Sequence, residues 1–239
     1  MKAVILAGGK GTRGKPYTEY IPKAMIPLEG RPVISYLVRF LESSDVDEII
    51  ILTDLAGHGG QIKNYIRGGS GSKKITYVQD SQSSTGGDLL HLAPVLEGES
   101  EFLLWFGDNL CRVDIAGMRR RYIEKDSLAC VLVRTRRKEE TGFAVVKDGV
   151  VAEFREKPEV ELPIPECLGV YVLSTKLLGE IRALGTRQVN LSYDILEGLS
   201  KRGKVSAFEL DGPWLDVESP VLLERNMGVA SGIIRKMGL

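Results

Sequence analysis

The sequence predicts an α/β protein, a Rossmann-like mixed and mostly parallel sheet with helices on both faces and a small β-rich insertion. Three observations predict it. Short apolar runs bounded by glycines or turn residues read as buried strands: Ala3-Val4-Ile5-Leu6, Glu48 to Thr53, and Glu101 to Phe106. Helical stretches alternate with these runs, and that β-α-β-α rhythm implies a parallel sheet with ligands at the strands' carboxyl ends. After about residue 127 the texture changes to closely spaced strands, which form the insertion. A length of 239 residues suits one domain, 1–239, with halves 1–110 and 111–239.

The elements follow in order. Arg31-Pro32 opens a helix, with proline near its first turn and Val33, Leu37, Phe40 and Leu41 on one face. The strand Glu48 to Thr53 is followed by a glycine-rich turn, a short helix around Gln61 to Arg67, and a third strand, Lys74 to Gln79. The turn Asp80 to Gly87 leads into a helix of Leu89, Leu90, Ala93 and Leu96, and the fourth strand ends on Gly107-Asp108-Asn109. Leu128 to Arg136, Gly142 to Lys147 and Val150 to Glu156 read as strands, the last two joined by a hairpin turn at Asp148-Gly149. Cys167 to Leu173 is another strand, and a helix follows from Thr175 to Leu184. Ser192 caps a helix that runs to Arg202 and stops at Gly203. Val205 to Leu210 returns to strand, and Ser219-Pro220 begins a terminal helix.

Composition excludes several classes of function. Lys+Arg and Asp+Glu are both 32, so small polyanions are favoured as partners over a nucleic-acid polymer. Arg119-Arg120-Arg121 and Arg134 to Lys138 read as solvated surface. Cys111, Cys130 and Cys167 are odd in number and lack a C-x-x-C pair, which argues for reduced thiols inside a cell. The chain starts on a strand with no targeting signal, and no segment reaches membrane-spanning length; the expectation is cytoplasmic, with no membrane partner. His58 and His91 have no partner at metal spacing, so a zinc site is disfavoured, and no G-x-S-x-G elbow is present.

The stretch Leu6-Ala7-Gly8-Gly9-Lys10-Gly11-Thr12-Arg13 carries the chemistry. Glycines let successive amides turn toward one point, and phosphate is the usual ligand of such a loop. Arg13 and Lys23 flank it as cations. The dinucleotide fingerprint G-x-G-x-x-G does not fit glycines at 8, 9, 11 and 14, which disfavours a dinucleotide-binding oxidoreductase. The Walker pattern fails at Pro16, which has no hydroxyl for magnesium.

Gly8 to Thr18, followed by Pro22-Lys23-Ala24-Met25-Ile26-Pro27-Leu28, resembles the signature of sugar-1-phosphate nucleotidylyltransferases. Gly14 stands where that signature usually has leucine. Gln79 to Gly87 resembles the family's base-binding loop, with Ser84 replacing a usual glycine and Asp88 a usual small apolar residue. The resemblance implies the following sites. The triphosphate is held by Leu6, Ala7, Gly8, Gly9, Gly11, Thr12 and Arg13, and the base by Gln79, Thr85 and Gly86. Lys23, Asn109, Gly142, Glu156, Lys157 and Gly169 hold the sugar phosphate, while Asp108 and Asp216 hold Mg²⁺. Arg13, Lys23 and Asp108 are the catalytic set. Residues 1–110 then form the nucleotide-binding half and 111–239 the sugar-phosphate-binding half. Gln79 and the Gly107-Asp108-Asn109 spelling look most like glucose-1-phosphate thymidylyltransferases without a C-terminal β-helix. Uridylyl or guanylyl transfer, mannose 1-phosphate as acceptor, and a non-catalytic nucleotide-sugar-binding relative are the alternatives. The resemblance also implies a homo-oligomer.

Overall fold

A strand buried on both faces can be apolar throughout, and the runs read above form the middle of one sheet for that reason. The computed structural model describes residues 1–9, 11–66, 71, 73–139, 141–217 and 227–239. Strand β1 (Lys2–Leu6) is followed by the short ribbon β2 (Pro27–Leu28) and β3 (Arg31–Pro32), then helix α1 (Val33–Glu42). Next come β4 (Glu48–Thr53), α2 (Gly60–Ile66), β5 (Lys74–Gln79), α3 (Ser84–His91) and β6 (Glu101–Phe106). Strand β7 (Asn109–Cys111) and helix α4 (Ile115–Glu124) precede β8 (Ala129–Lys138). The hairpin β9 (Phe143–Lys147) and β10 (Val150–Arg155) leads to the long β11 (Glu159–Ser174). Helix α5 (Leu177–Ala183), a π-helical turn (Leu191–Leu196), α6 (Glu197–Lys201), β12 (Val205–Glu209) and β13 (Trp214–Asp216) follow. The C-terminal helix is Met227–Lys236.

The main sheet has seven strands in the order β12-β8-β11-β6-β1-β4-β5. All its pairings are parallel except those of β11, which runs against both β6 and β8. The sheet is mixed and mostly parallel, and strands from both halves of the chain join it. Strand alternation sends Ile5, Ile51 and Trp105 to one face, where they pack on α1, α4 and the C-terminal helix. Val4, Ile50 and Leu104 go to the other face, beneath α3, α5 and α6. Helices therefore cover both faces.

Several elements depart from the sequence reading. Strand β11 begins at Glu159, eight residues before the expected Cys167, because Glu159 to Glu161 pair with Arg136 to Lys138 beyond an irregularity in register. Asn190, not Ser192, caps the segment that follows: its side chain accepts from the amides of Ser192 (2.9 Å) and Tyr193 (3.1 Å). Helix α3 starts inside the expected turn and ends at His91, and Ala93–Leu96 continues as a 3-10 helix carrying Pro94, which has no amide to donate. Ser219-Pro220 and Arg67 lie outside the described residues. Among the described residues, no helix is long and apolar enough to cross a membrane.

Candidate nucleotidyl-transfer site

The carboxyl ends of β1, β4, β5 and β6 converge on one cleft. The Ala7 amide donates to Leu52 O and the Gly107 amide to Leu6 O, each at 2.8 Å, so the loops leave the sheet edge side by side. The cleft encloses about 750 Å³, and its walls include Leu6, Ala7, Gly8, Gly9, Gly11 and Arg13. A narrower recess of about 180 Å³ at one end shares Lys23 and Asp108 with it and adds Thr12, Ala24 and Gly107. Gly8 packs so tightly on the next loop that a Cβ there would lie 1.8 Å from Asp80 Oδ2. Gly14 has a local reason too. A Cβ would come within 2.6 Å of Thr18 Cγ2, and the Thr18 hydroxyl ties the loop together by donating to Gly11 O at 2.7 Å.

Three charges meet beside the recess, of which Lys23 and Asp108 line it. Lys23 Nζ lies 2.5 Å from Asp108 Oδ2 and 3.3 Å from Asp216 Oδ1. A three-residue antiparallel ladder brings the two carboxylates together: β13 pairs with β7, with Asp216 opposite Asn109, and the Val217 amide donates to Asp108 O at 2.9 Å. Burial raises the Asp216 carboxyl above its usual range, and the Asp108 charge pushes it the same way, while Lys23 and Arg13 pull it back. Asn109 is buried behind this cluster. Its Nδ2 donates to Asp108 Oδ1 (2.7 Å), and its Oδ1 accepts from Trp214 Nε1 (2.8 Å) and the Gly169 amide (3.4 Å). Asn109 therefore bonds Asp108 from behind, and Gly169 contacts Asn109 rather than Asp108.

The other expected residues fall in three places. Thr85 lines the cleft, and its hydroxyl accepts from the Leu191 amide at 2.9 Å. Gly86 is buried, and its amide donates to Val189 O at 2.8 Å, so it is turned away from the cleft. The Gln79 amide points outward: Nε2 donates to Asp54 Oδ1 and Asp80 O, and Oε1 accepts from the Ala56 amide. Gly142, Glu156 and Lys157 stand on the solvent-exposed β9–β10 hairpin and its flanks. Asp54, His58 and Gln188 were not expected on the cleft wall, whereas Asp80 and Gln82 lie within the expected base-binding loop, Gln79 to Gly87. Asp54 directly follows β4, a position the strand-end rule could have marked, but nothing in the sequence marked Gln188, which arrives from a distant loop.

A glycine-rich loop, two cations and two convergent carboxylates at the carboxyl edge of a doubly covered sheet make this cleft the candidate site for a phosphate-bearing ligand. The sequence profile of the nucleotidyl transferase family matches residues 2–229, and the chain belongs to that family. It is 29% identical to the UTP–glucose-1-phosphate uridylyltransferase of Synechocystis sp., over 91% of this chain and 60% of that protein. It is 26% identical to the "Probable glucose-1-phosphate cytidylyltransferase" of Bacillus subtilis, over 92% of each. The crystal structure of a "Putative Glucose-1-Phosphate Thymidylyltransferase from Bacillus anthracis in Complex with a Sucrose" superposes with a TM-score of 0.76 at 27% identity, covering 96% of this chain and 95% of that one. The chain spans about three-fifths of the length of several of the relatives it matches.

Two carboxylates that share one ammonium present hard oxygen donors at cation distance. Among the described residues, no group of three or more His, Cys, Asp or Glu side chains is arranged for a metal. That donor set fits magnesium, which takes one or two carboxylates and completes its shell with water and substrate phosphate.

Proposed function

We propose that the chain transfers a nucleotidyl group from a nucleoside triphosphate to a hexose 1-phosphate, giving a nucleoside-diphosphate sugar and pyrophosphate. The observation that carries this reading is the Lys23 ammonium held at 2.5 Å from Asp108 and 3.3 Å from Asp216, at the mouth of the Gly8 to Arg13 loop. Glucose 1-phosphate is the acceptor that the names of the three relatives above support.

In this reading an oxygen of the sugar phosphate attacks the α-phosphorus in line, forming the new P–O bond as the α–β bridging bond breaks. Pyrophosphate carries away the bonding pair, and no covalent link to the protein is needed. The work of the chain is positioning and charge neutralisation. The loop amides and Arg13 bind the β- and γ-phosphates, and Lys23 moves from carboxylate to phosphate to bridge the two reacting anions. Gly142, Glu156 and Lys157 hold the sugar phosphate from the hairpin side, while Asn109, braced by Gly169, keeps Asp108 in orientation. Asp108 and Asp216 would hold Mg²⁺, which supplies neutralisation of the two polyanions when bound.

Pyrophosphate release is the test. It is expected to require triphosphate, glucose 1-phosphate and Mg²⁺ together. Release without the sugar phosphate, or none with any common triphosphate and hexose 1-phosphate, contradicts the proposal.

A further inference from the structure

The basic run Arg134 to Lys138, read above as solvated surface, does not behave as one unit. Arg136, Arg137 and Lys138 are exposed, whereas the Arg134 side chain is only 18% exposed. Arg134 stands at the rung where β8 and β11 leave the body of the molecule. Ala129 to Val133 and Leu168 to Ser174 are buried, and beyond the pairing of Arg134 with Glu166 both strands are largely exposed. That exposed arm leads to the β9–β10 hairpin, with Gly142, Glu156 and Lys157 on its flanks.

At the root of the arm Arg134 reaches two partners. Its Nε donates to Glu166 Oε2 at 2.8 Å, and Nη2 lies 2.7 Å from the same oxygen. Its guanidinium carbon lies over the Trp214 ring, 4.5 Å from the centroid. Trp214 is in turn tied to both carboxylates of the site. Its Nε1 donates to Asn109 Oδ1 (2.8 Å), and Asn109 Nδ2 donates to Asp108 Oδ1 (2.7 Å). Trp214 and Asp216 are alternate residues of β13, so their side chains leave the same face of that strand. Of the described residues, Arg134 lines neither the cleft nor its recess, so its route to the site runs through Trp214.

Carboxylates that hold a small hard cation must keep their oxygens in a fixed orientation, and the groups that bond them from behind supply it. The Asn109 backbone has its own brace, because Trp105 Nε1 donates to Asn109 O at 2.9 Å. Its side-chain oxygen depends on Trp214, since the Gly169 amide reaches it only at 3.4 Å. We propose that Arg134 is a positioning residue for nucleotidyl transfer: it clamps Trp214 from the root of the arm, and so steadies Asp108 through Asn109 and Asp216 through β13. The inference rests on the nucleotidyl-transfer reading above and deepens it, because the strands that carry the sugar-phosphate hairpin then also set the carboxylates.

The test compares the wild type with Arg134→Met, Trp214→Phe and the double variant. Arg134→Met is expected to lower kcat about fivefold, with KM for triphosphate and glucose 1-phosphate within about twofold, and to weaken binding of Mn²⁺ alone, read by electron paramagnetic resonance, about threefold or more. The chain has two tryptophans, so proton–nitrogen correlation spectra contain two indole signals, which Trp214→Phe assigns. In Arg134→Met the Trp214 indole is expected to exchange its hydrogen about fivefold faster, while the Trp105 indole keeps its rate. In the Trp214→Phe background, where the indole donor is already gone, Arg134→Met is expected to cost less than about twofold more in kcat, because members of one network are not additive. Should Arg134→Met fail to fold, Arg134→Lys keeps the charge without the planar fork and is expected to show the same pattern at smaller size. Wild-type kcat and Mn²⁺ affinity in Arg134→Met, a rise confined to KM for glucose 1-phosphate, or losses that multiply in the double variant would each overturn the proposal. A wild type without turnover sinks the nucleotidyl-transfer reading instead, and indole exchange still decides the clamp: an unchanged Trp214 rate overturns it.

Discussion

Single atoms decide how closely the phosphate loop can approach its neighbour. At Gly8 a methyl group would overlap Asp80 Oδ2, so Gly8→Ala must push either the loop or the carboxylate out of place. Its affinity for nucleoside triphosphate is expected to fall about tenfold or more, a loss of about 1.4 kcal/mol, with the far-ultraviolet circular dichroism unchanged. Titration calorimetry checks this; wild-type affinity would mean the loop has room that the geometry denies. The thiols give a second prediction at this scale. Burial pushes all three thiols up, with the Glu166 charge adding to the rise at Cys167, but Cys111 and Cys130 are buried whereas Cys167 is exposed to a reagent. A bulky thiol reagent at neutral pH is expected to label about one equivalent in the native protein, on Cys167, and all three cysteines in denaturant. Rapid labelling of Cys111 in native buffer would contradict the burial.

At the scale of elements, one ion pair ties α4 to the start of β6. The Arg119 guanidinium donates through Nε (2.9 Å) and Nη2 (2.6 Å) to Glu101 Oε1, and Ser100 Oγ also donates to this carboxylate. Burial pushes the Glu101 carboxyl up, but these bonds outweigh it and hold it below the usual range. Glu101→Gln is expected to cost about 2 kcal/mol in urea unfolding at neutral pH. A depressed carboxyl contributes stability above its unfolded value, about 4.3, and loses it as pH falls through the folded one. The gap between wild type and variant should therefore close in acid, below about pH 4. A gap that is constant with pH would assign the loss to packing.

Elements also show what could be read in advance. β4, β5 and β6 were legible to the residue because a strand packed on both faces, or bounded by turns, leaves an uninterrupted apolar or β-branched signature. The start of β11 was not. Glu159 to Pro165 is largely exposed and holds two prolines, and the Arg136 and Arg137 partners that make it a strand lie more than twenty residues away. The cap at Asn190 was missed because Ser192 has the same chemistry two residues on, and only the accepted amides tell them apart.

Across the whole molecule, the site is assembled from segments far apart in sequence. Asp108 was placed in the site by the resemblance of Gly107-Asp108-Asn109 to the family's metal-binding segment, since a strand-end aspartate alone is more often a helix cap or turn residue, and the Gly8 to Arg13 loop was read from the backbone meaning of its glycines. The pairing of Asp216 with Asp108 rests on the β13–β7 ladder across more than a hundred residues, which spacing alone does not reveal. Asn109 was expected, from the resemblance, to hold the sugar phosphate. It follows the key aspartate, but the fold turns its side chain inward to Trp214, and Arg134 covers the Trp214 ring at 4.5 Å. Trp214→Phe removes that indole donor and is expected to lower kcat several-fold through a looser Asp108, with less effect on KM, in steady-state assays. An equal loss in KM alone would place Trp214 in substrate binding instead.

The central claim is that Lys23, Asp108 and Asp216 form one charge cluster for nucleotidyl transfer, and Asp108→Asn tests it most directly. The substitution preserves shape and the Asn109 contact while removing the charge that Lys23 and the cation site depend on. Steady-state pyrophosphate release by this variant is expected to fall by a hundredfold or more at saturating Mg²⁺, with an unfolding midpoint close to that of the wild type. Turnover equal to the wild type would contradict the account.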